Sequence, residues 1–338
     1  MKNGNIQLLR GVSILLVIFT HLGIFIPNSA TFKIITSYFD TSIGVDLFFV
    51  ISGYLMGETF IKKIKNKELT SADAFNFYQR RIVRLYIPCL FWSFFILSFS
   101  WVWLELKFFK ELKQIVGVFF GAITFTGNFF NATHPTVFGY FWSLGVEMQF
   151  YLFLPILVVF SKNRRWIPCL LLLLIFTAAY GNSNIWWMFR ANALFVGLLL
   201  WFATQTPSFD TLKDSLNRLP PAIVTTIFFL AITCACFLSY PYIVFGGIRY
   251  TITALILALV FYVVAFYEKP VLGFIHKPLS ILGNISFSLY LCHLPIFLIV
   301  KYIFSKHISN PHTLAMIGVV FAIAMAFPSY FILEKTKK

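Results

Sequence analysis

The chain has 338 residues, of which 59% are hydrophobic and only 12% charged, with 43 phenylalanines and a formal charge of +15. Soluble domains carry about a quarter charged residues, so this chain has too little polar surface to coat a water-soluble globule. A basic excess can indicate nucleic acid, but here Lys and Arg gather in short clusters between apolar segments, as in cytoplasmic membrane loops, so a lipid bilayer is expected and nucleic acid is not.

A hydrocarbon core about 30 Å thick needs roughly 20 apolar helical residues. On that criterion spans are expected near residues 6–26, 41–61, 82–103, 139–161, 166–181, 185–204, 221–240, 248–267, 279–304 and 312–333. The first follows Met1-Lys2 without a small-residue cleavage site and reads as an uncleaved span. With the N-terminus inside, most of the 27 basic residues become cytoplasmic, provided that the short Gly/Thr-rich segment 115–129 does not cross. The expected fold is therefore an all-α polytopic membrane bundle of about ten transmembrane helices plus one short re-entrant or interfacial helix. No internal repeat is visible, no loop is long enough for a second folded unit, and both termini fall in the cytoplasm. Cys89, Cys169, Cys234, Cys236 and Cys292 lie in apolar stretches, which supports neither a disulfide framework nor a metal site.

Ionisable groups cost about 2.5–3.5 kcal/mol at membrane depth on insertion scales, so each needs a partner or a task. In the first span Arg10 and His21 are eleven residues apart, which places them on nearly the same helix face about 16 Å apart. His21 could serve as a reactive group or only bond a neighbouring helix. In the second span Asp46 lies a few residues below the outer surface, and the Gly53/Gly57 pair reads as a close-packing device. At the head of the third, Arg81 and Arg84 project from one side; guanidinium pairs suit phosphate, although such arginines also simply fix orientation. Ser143, Glu147 and Tyr151 share a face of the fourth span, and Ser286, Tyr290 and His293 form a polar stripe on the ninth. Span edges put His21, Asp46, Glu147 and His293 in the outer half of the membrane, which predicts a polar chamber there and an arginine mouth on the cytoplasmic side.

Arg10 with His21, the stretch GVDLFFVISGYL at 44–55, Arg81 with Arg84, the WSL motif from Trp142 to Glu147, and SLYLCHLP around His293 together resemble acyltransferase family 3, the multi-spanning membrane acyltransferases. The chain departs from that pattern at Met148, where a second acid is frequent, and in Glu334-Lys335-Thr336, which replaces a closing Glu-Lys-Pro and reads as peripheral. The resemblance implies an enzyme that moves an acyl group, usually acetyl, from cytoplasmic acyl-CoA to a hydroxyl of an extracytoplasmic glycan or lipid-linked sugar. It also implies a location in the bacterial cytoplasmic membrane, and the chain resembles the stand-alone type without a fused extracytoplasmic domain. In that frame Arg10, Arg81 and Arg84 hold the donor's phosphates and His21 is the general base of a direct transfer, with Asp46 or Glu147 orienting it; an acyl-histidine intermediate is the alternative. Ser143, Tyr151, Ser286, Tyr290 and His293 support the site or the substrate. A membrane transporter of a glycan or small molecule is the alternative, because polar residues at membrane depth also line substrate paths.

Overall fold

The computed structural model describes residues 4–62, 70–160, 190–240 and 247–335, with isolated positions between 168 and 175. All described secondary structure is helical. Helix α1 is Gly4–His21 and runs into a 3-10 turn, Leu22–Ile24; α2 is Ala30–Tyr38 and α3 is Ile43–Met56, prolonged by a π-turn, Gly57–Ile61. Then follow α4 Ser71–Ser98, α5 Ser100–Glu105, α6 Leu112–Ile123, α7 Gly127–Thr133 and α8 Phe141–Phe160. Beyond these lie α9 Asn192–Ala203, α10 Pro207–Arg218, α11 Pro221–Leu238 and α12 Ile248–Ala265. The chain closes with α13 His276–Asn284, α14 Ser286–Phe304, and α15 Pro311–Ser329, which ends in a π-turn, Tyr330–Glu334.

Among the described residues seven helical stretches are long and apolar enough to cross a membrane: α1 and α3 with their terminal turns, α4, α11, α12, α14, and α15 with its π-turn. The chain is an integral membrane protein. Of the three other predicted spans, the fourth contains the twenty-residue α8 and the sixth the shorter apolar α9. The fifth, 166–181, lies almost wholly outside the described residues. Large apolar side chains on the outer helices, such as Leu230, Met316 and Val320, are exposed, as expected where the solvent is hydrocarbon.

The segment at 115–129 is a helical hairpin. Helix α6 rises only about 18 Å over its twelve residues, well short of the hydrocarbon core. The chain then turns, and Phe130 of α7 folds back onto α6, where a Cβ on Gly117 would meet its ring at 2.4 Å. Reciprocal amide bonds between Asn128 and Gln149, at 3.0 and 3.1 Å, fasten the hairpin to α8.

Helix α4 begins at Ser71, well before the predicted boundary at 82. Thr70 and Asp73 form a capping box, Thr70 Oγ1 accepting from the Asp73 amide at 3.1 Å, and this starts the helix in polar sequence ahead of the apolar run. Arg81 and Arg84 consequently project from the flank of a continuous helix rather than from its first turn.

Glycine contacts set the positions of α1 and α3. A Cβ on Gly11 would sit 2.1 Å from the Leu279 carbonyl oxygen of α13, and one on Gly283 only 1.8 Å from that of Gln7. Gly44 meets the Ser13 carbonyl in the same way, and on the far side of α3 Gly53 lies against Leu194 and Gly197 against Val50. Gly53 and Gly57 therefore act as close-packing residues, Gly57 against the Trp201 ring. These crossings lock α1 between α3 and α13, with one end carrying Arg10 and the other His21.

Candidate active site

At the Arg10 end of the bundle a cavity with an empty volume of about 760 Å³ penetrates between α1, α3, α4, α8 and α14. It continues outward into a wider, solvent-open cavity whose wall also includes Glu334, and Arg10, Arg81 and Arg84 line both. Arg81 Nη2 donates to Thr59 Oγ1 at 3.2 Å, and its guanidinium lies 5.5 Å from the Tyr151 ring centre. Among the described residues none of the three arginines forms a salt bridge. The three guanidinium groups converge on cavities that Glu147 and Glu334 also line, and their forked geometry suits phosphate oxygens.

Glu147 belongs to this cavity and not to the chamber around His21 in which span counting placed it. Its carboxylate accepts from Ser52 Oγ at 2.8 Å and from Tyr151 Oη. Ser52 lies six residues beyond Asp46 on α3, so the Glu147 carboxylate sits about 9 Å deeper along that helix, toward the arginines. Ser143, Tyr151, Ser286 and Tyr290 all line the same cavity, as the shared helix faces predict.

The inner end of the cavity is closed by Tyr290. Its hydroxyl meets Ser143 Oγ at 2.7 Å and donates to the Tyr140 carbonyl at 2.9 Å, while its ring packs 5.9 Å from that of His293. Behind it the two histidines meet, His293 Nε2 lying 3.3 Å from His21 Nδ1. The backbone determines their tautomers. His293 Nδ1 faces the carbonyl oxygens of Tyr290 at 2.7 Å and Leu289 at 3.2 Å, and His21 Nδ1 faces that of Val17 at 2.8 Å. Carbonyl oxygens only accept, so in the neutral rings both Nδ1 atoms carry the hydrogen. His293 Nε2 is then an acceptor for the shared His21 Nδ1–H, which leaves His21 Nε2 as the unprotonated nitrogen. His293 is fully buried, whereas His21 keeps partial exposure.

Asp46 does not orient His21. Its carboxylate, 2% exposed, is bonded to Arg190 Nη2, and the guanidinium of Arg190 stacks 4.0 Å from the Tyr250 ring centre with Trp142 on another side at 5.7 Å. A buried carboxylate takes the strongest available cation, and a guanidinium with two aromatic faces around it outcompetes an imidazole. Arg190 stands outside the basic clusters between the apolar segments, and nothing in its own sequence neighbourhood marks it. The conspicuous depth of Asp46 was the signal that a cation had to be found for it.

The site residues expected from the sequence thus form two centres joined through Tyr290. Arg10, Arg81, Arg84, Glu147, Ser143, Tyr151, Ser286 and Tyr290 surround the cavity, and His21 with His293 lies beyond its inner end. Asp46 belongs to neither. Lys301 was also missed: its Nζ donates to the Ile24 carbonyl at 2.6 Å and secures the turn that follows His21.

The profile described as "Acyltransferase domain" matches residues 3–332. O-acetyltransferase OatA of Staphylococcus aureus is 28% identical over 328 residues, covering 86% of this chain and 52% of that protein. Peptidoglycan O-acetyltransferase OatA of Listeria monocytogenes is 28% identical over 287 residues, 75% of this chain and 44% of its own length. Putative peptidoglycan O-acetyltransferase YrhL of Bacillus subtilis is 26% identical over 333 residues, 87% of this chain and 50% of its own. The chain spans about half the length of the curated relatives it matches, and no solved structure matches it. With the profile extending over nearly every residue from α1 to the final π-turn, the chain belongs to the acyltransferase 3 family of membrane proteins.

Proposed function

We propose that this chain is a membrane O-acyltransferase that moves an acyl group, with acetyl as the principal one, from cytoplasmic acyl-CoA to a hydroxyl of an extracytoplasmic glycan. The relatives' names favour a peptidoglycan-like acceptor. The observation that carries the reading is the distribution of chemistry along α1. An arginine cluster opens a cavity at one end, and a histidine with a free ring nitrogen stands at the other, about 16 Å away. The positive-inside rule, applied to the basic clusters, supports a cytoplasmic arginine end.

In this mechanism Arg10, Arg81 and Arg84 hold the donor's phosphate groups, and the thioester arm lies in the cavity between α3, α8 and α14. Tyr290 moves aside to admit the thioester to His21. The acceptor hydroxyl then attacks the thioester carbonyl carbon while His21 Nε2 takes its proton. The resulting imidazolium donates through Nδ1 to His293 Nε2 and to the Val17 carbonyl, so its charge is stabilised without a carboxylate. The C–S bond breaks, the new ester remains on the acceptor, and the CoA thiolate recovers the proton from His21. Glu147 acts on the donor side, where it fixes Ser52 and Tyr151 along the path of the arm.

The test is complementation of cells lacking the gene, with mass spectrometry of surface glycan acylation. Wild-type chain restores the ester and His21→Ala, at equal membrane abundance, does not; restoration by His21→Ala would refute the reading.

A further inference from the structure

Glu334 has no part in the reaction as described, yet it is built into the arginine mouth. Helix α15 ends in a π-turn, a rare geometry that is frequent at functional sites. Two contacts pin that turn: Trp92 Nε1 donates to Ser329 Oγ at 3.1 Å, and Ser288 Oγ donates to the Glu334 carboxylate. Only 9% of Glu334 is exposed, and it lines the wider cavity together with Arg10, Arg81 and Arg84. Among the described residues no salt bridge within 4 Å joins it to any of the three. A carboxylate that shares a cavity with three guanidinium groups, beyond contact distance of each, leaves space for a further anion beside it.

We propose that Glu334 is a resident counter-anion of these arginines, one that competes with the donor's phosphate groups and keeps the spent carrier releasable. The inference rests on the donor-site reading above. Acyl-CoA and CoA carry the same phosphates, so phosphate binding is uniform across the reaction and cannot accelerate the chemical step. Beyond what is needed for capture, it only delays product release. A fixed negative charge beside the arginines sets that affinity. Ser288 keeps the carboxylate from collapsing onto Arg10 or Arg84 and closing the mouth.

The experiment is calorimetric titration of CoA into the full chain in lipid nanodiscs. Glu334→Gln lowers the Kd for CoA about fivefold or more, the size of one partly screened charge interaction, and lowers KM for acetyl-CoA without raising kcat. Pantetheine, which has no phosphate, binds both proteins alike. Glu334→Asp keeps the charge one methylene further back and tightens CoA binding less than Gln does, and it provides the test should the Gln protein not fold. Unchanged or weaker CoA binding by Glu334→Gln overturns the proposal, as does an Asp protein equal to the Gln protein. The paired variant Arg81→Ala with Arg84→Ala separates the two readings. If wild type binds CoA in an arginine-dependent way and Glu334→Gln does not tighten it, only this inference fails. If wild type does not bind CoA, or the arginine variant binds it equally well, both fail.

Discussion

His293 Nε2 lies 3.3 Å from His21 Nδ1, and each ring directs its Nδ1 at a carbonyl of its own helix. The backbone carbonyls thereby fix both tautomers, and His293 Nε2 is left to accept from His21 without a carboxylate. His293→Ala removes the acceptor for the charge that forms on His21 and lowers acyl transfer by about 10–100-fold, the equivalent of one hydrogen bond to a charged group. His293→Gln places an amide oxygen near the same point and recovers part of that loss, whereas a purely structural role for His293 gives Ala and Gln proteins of equal rate. Initial rates of ester formation from acetyl-CoA in membrane vesicles decide the matter.

Arg81 and Arg84 are expected to act together. Replacing both by Ala removes two charged hydrogen-bond donors from the cavity and weakens CoA binding by about 100-fold or more. Pantetheine affinity in the same purified protein changes little. Equal CoA affinity in the variant would return these arginines to a purely topogenic role.

The Asp46–Arg190 pair is buried on both sides, with side-chain exposures of 3% and 7%. Asp46→Asn or Arg190→Met alone leaves one charge without its counter-ion and costs about 3–5 kcal/mol, while the joint change Asp46→Leu with Arg190→Met recovers much of it. Thermal unfolding in detergent, followed by tryptophan fluorescence, measures the difference. Single variants as stable as wild type would show that the pair contributes nothing.

Helix α1 tolerates no side chain at its crossing with α13. Gly283→Ala sets a methyl group 1.8 Å from the Gln7 carbonyl oxygen, and backbone cannot yield there as a side-chain tip would. Overpacking of this kind costs about 1–3 kcal/mol. Gly273→Ala, in open space but at φ 53°, is expected to cost less, through its backbone alone. Comparison of the two melting temperatures tests the claim; equal losses would contradict it.

Hydropathy and charge made the helical membrane architecture legible, because a bilayer imposes length and polarity on every span. Depth within the bundle was less so. Counting from span edges placed Glu147 level with His21, but α8 meets α3 at Ser52, below Asp46, and helix tilt and offset are set by packing, which apolar length does not encode. The pairing of Asp46 with Arg190 was hidden for the same reason: the two residues are 144 positions apart, and only tertiary contact brings them together. Glu334 looked peripheral in sequence because it sits at the end of the last span. The π-turn and Ser288 turn it inward.

Because one rigid helix carries both Arg10 and His21, wedged by glycine against carbonyls on two sides, the distance between them is insensitive to movements of the surrounding bundle. In the proposed reaction that fixed interval selects donors by reach. A compact acyl phosphate can satisfy the arginines yet leaves its carbonyl far short of the base, whereas a carrier with a long flexible arm satisfies both at once. On the proposed mechanism the first helix therefore restricts the reaction to extended carriers before any contact with the acyl group is made.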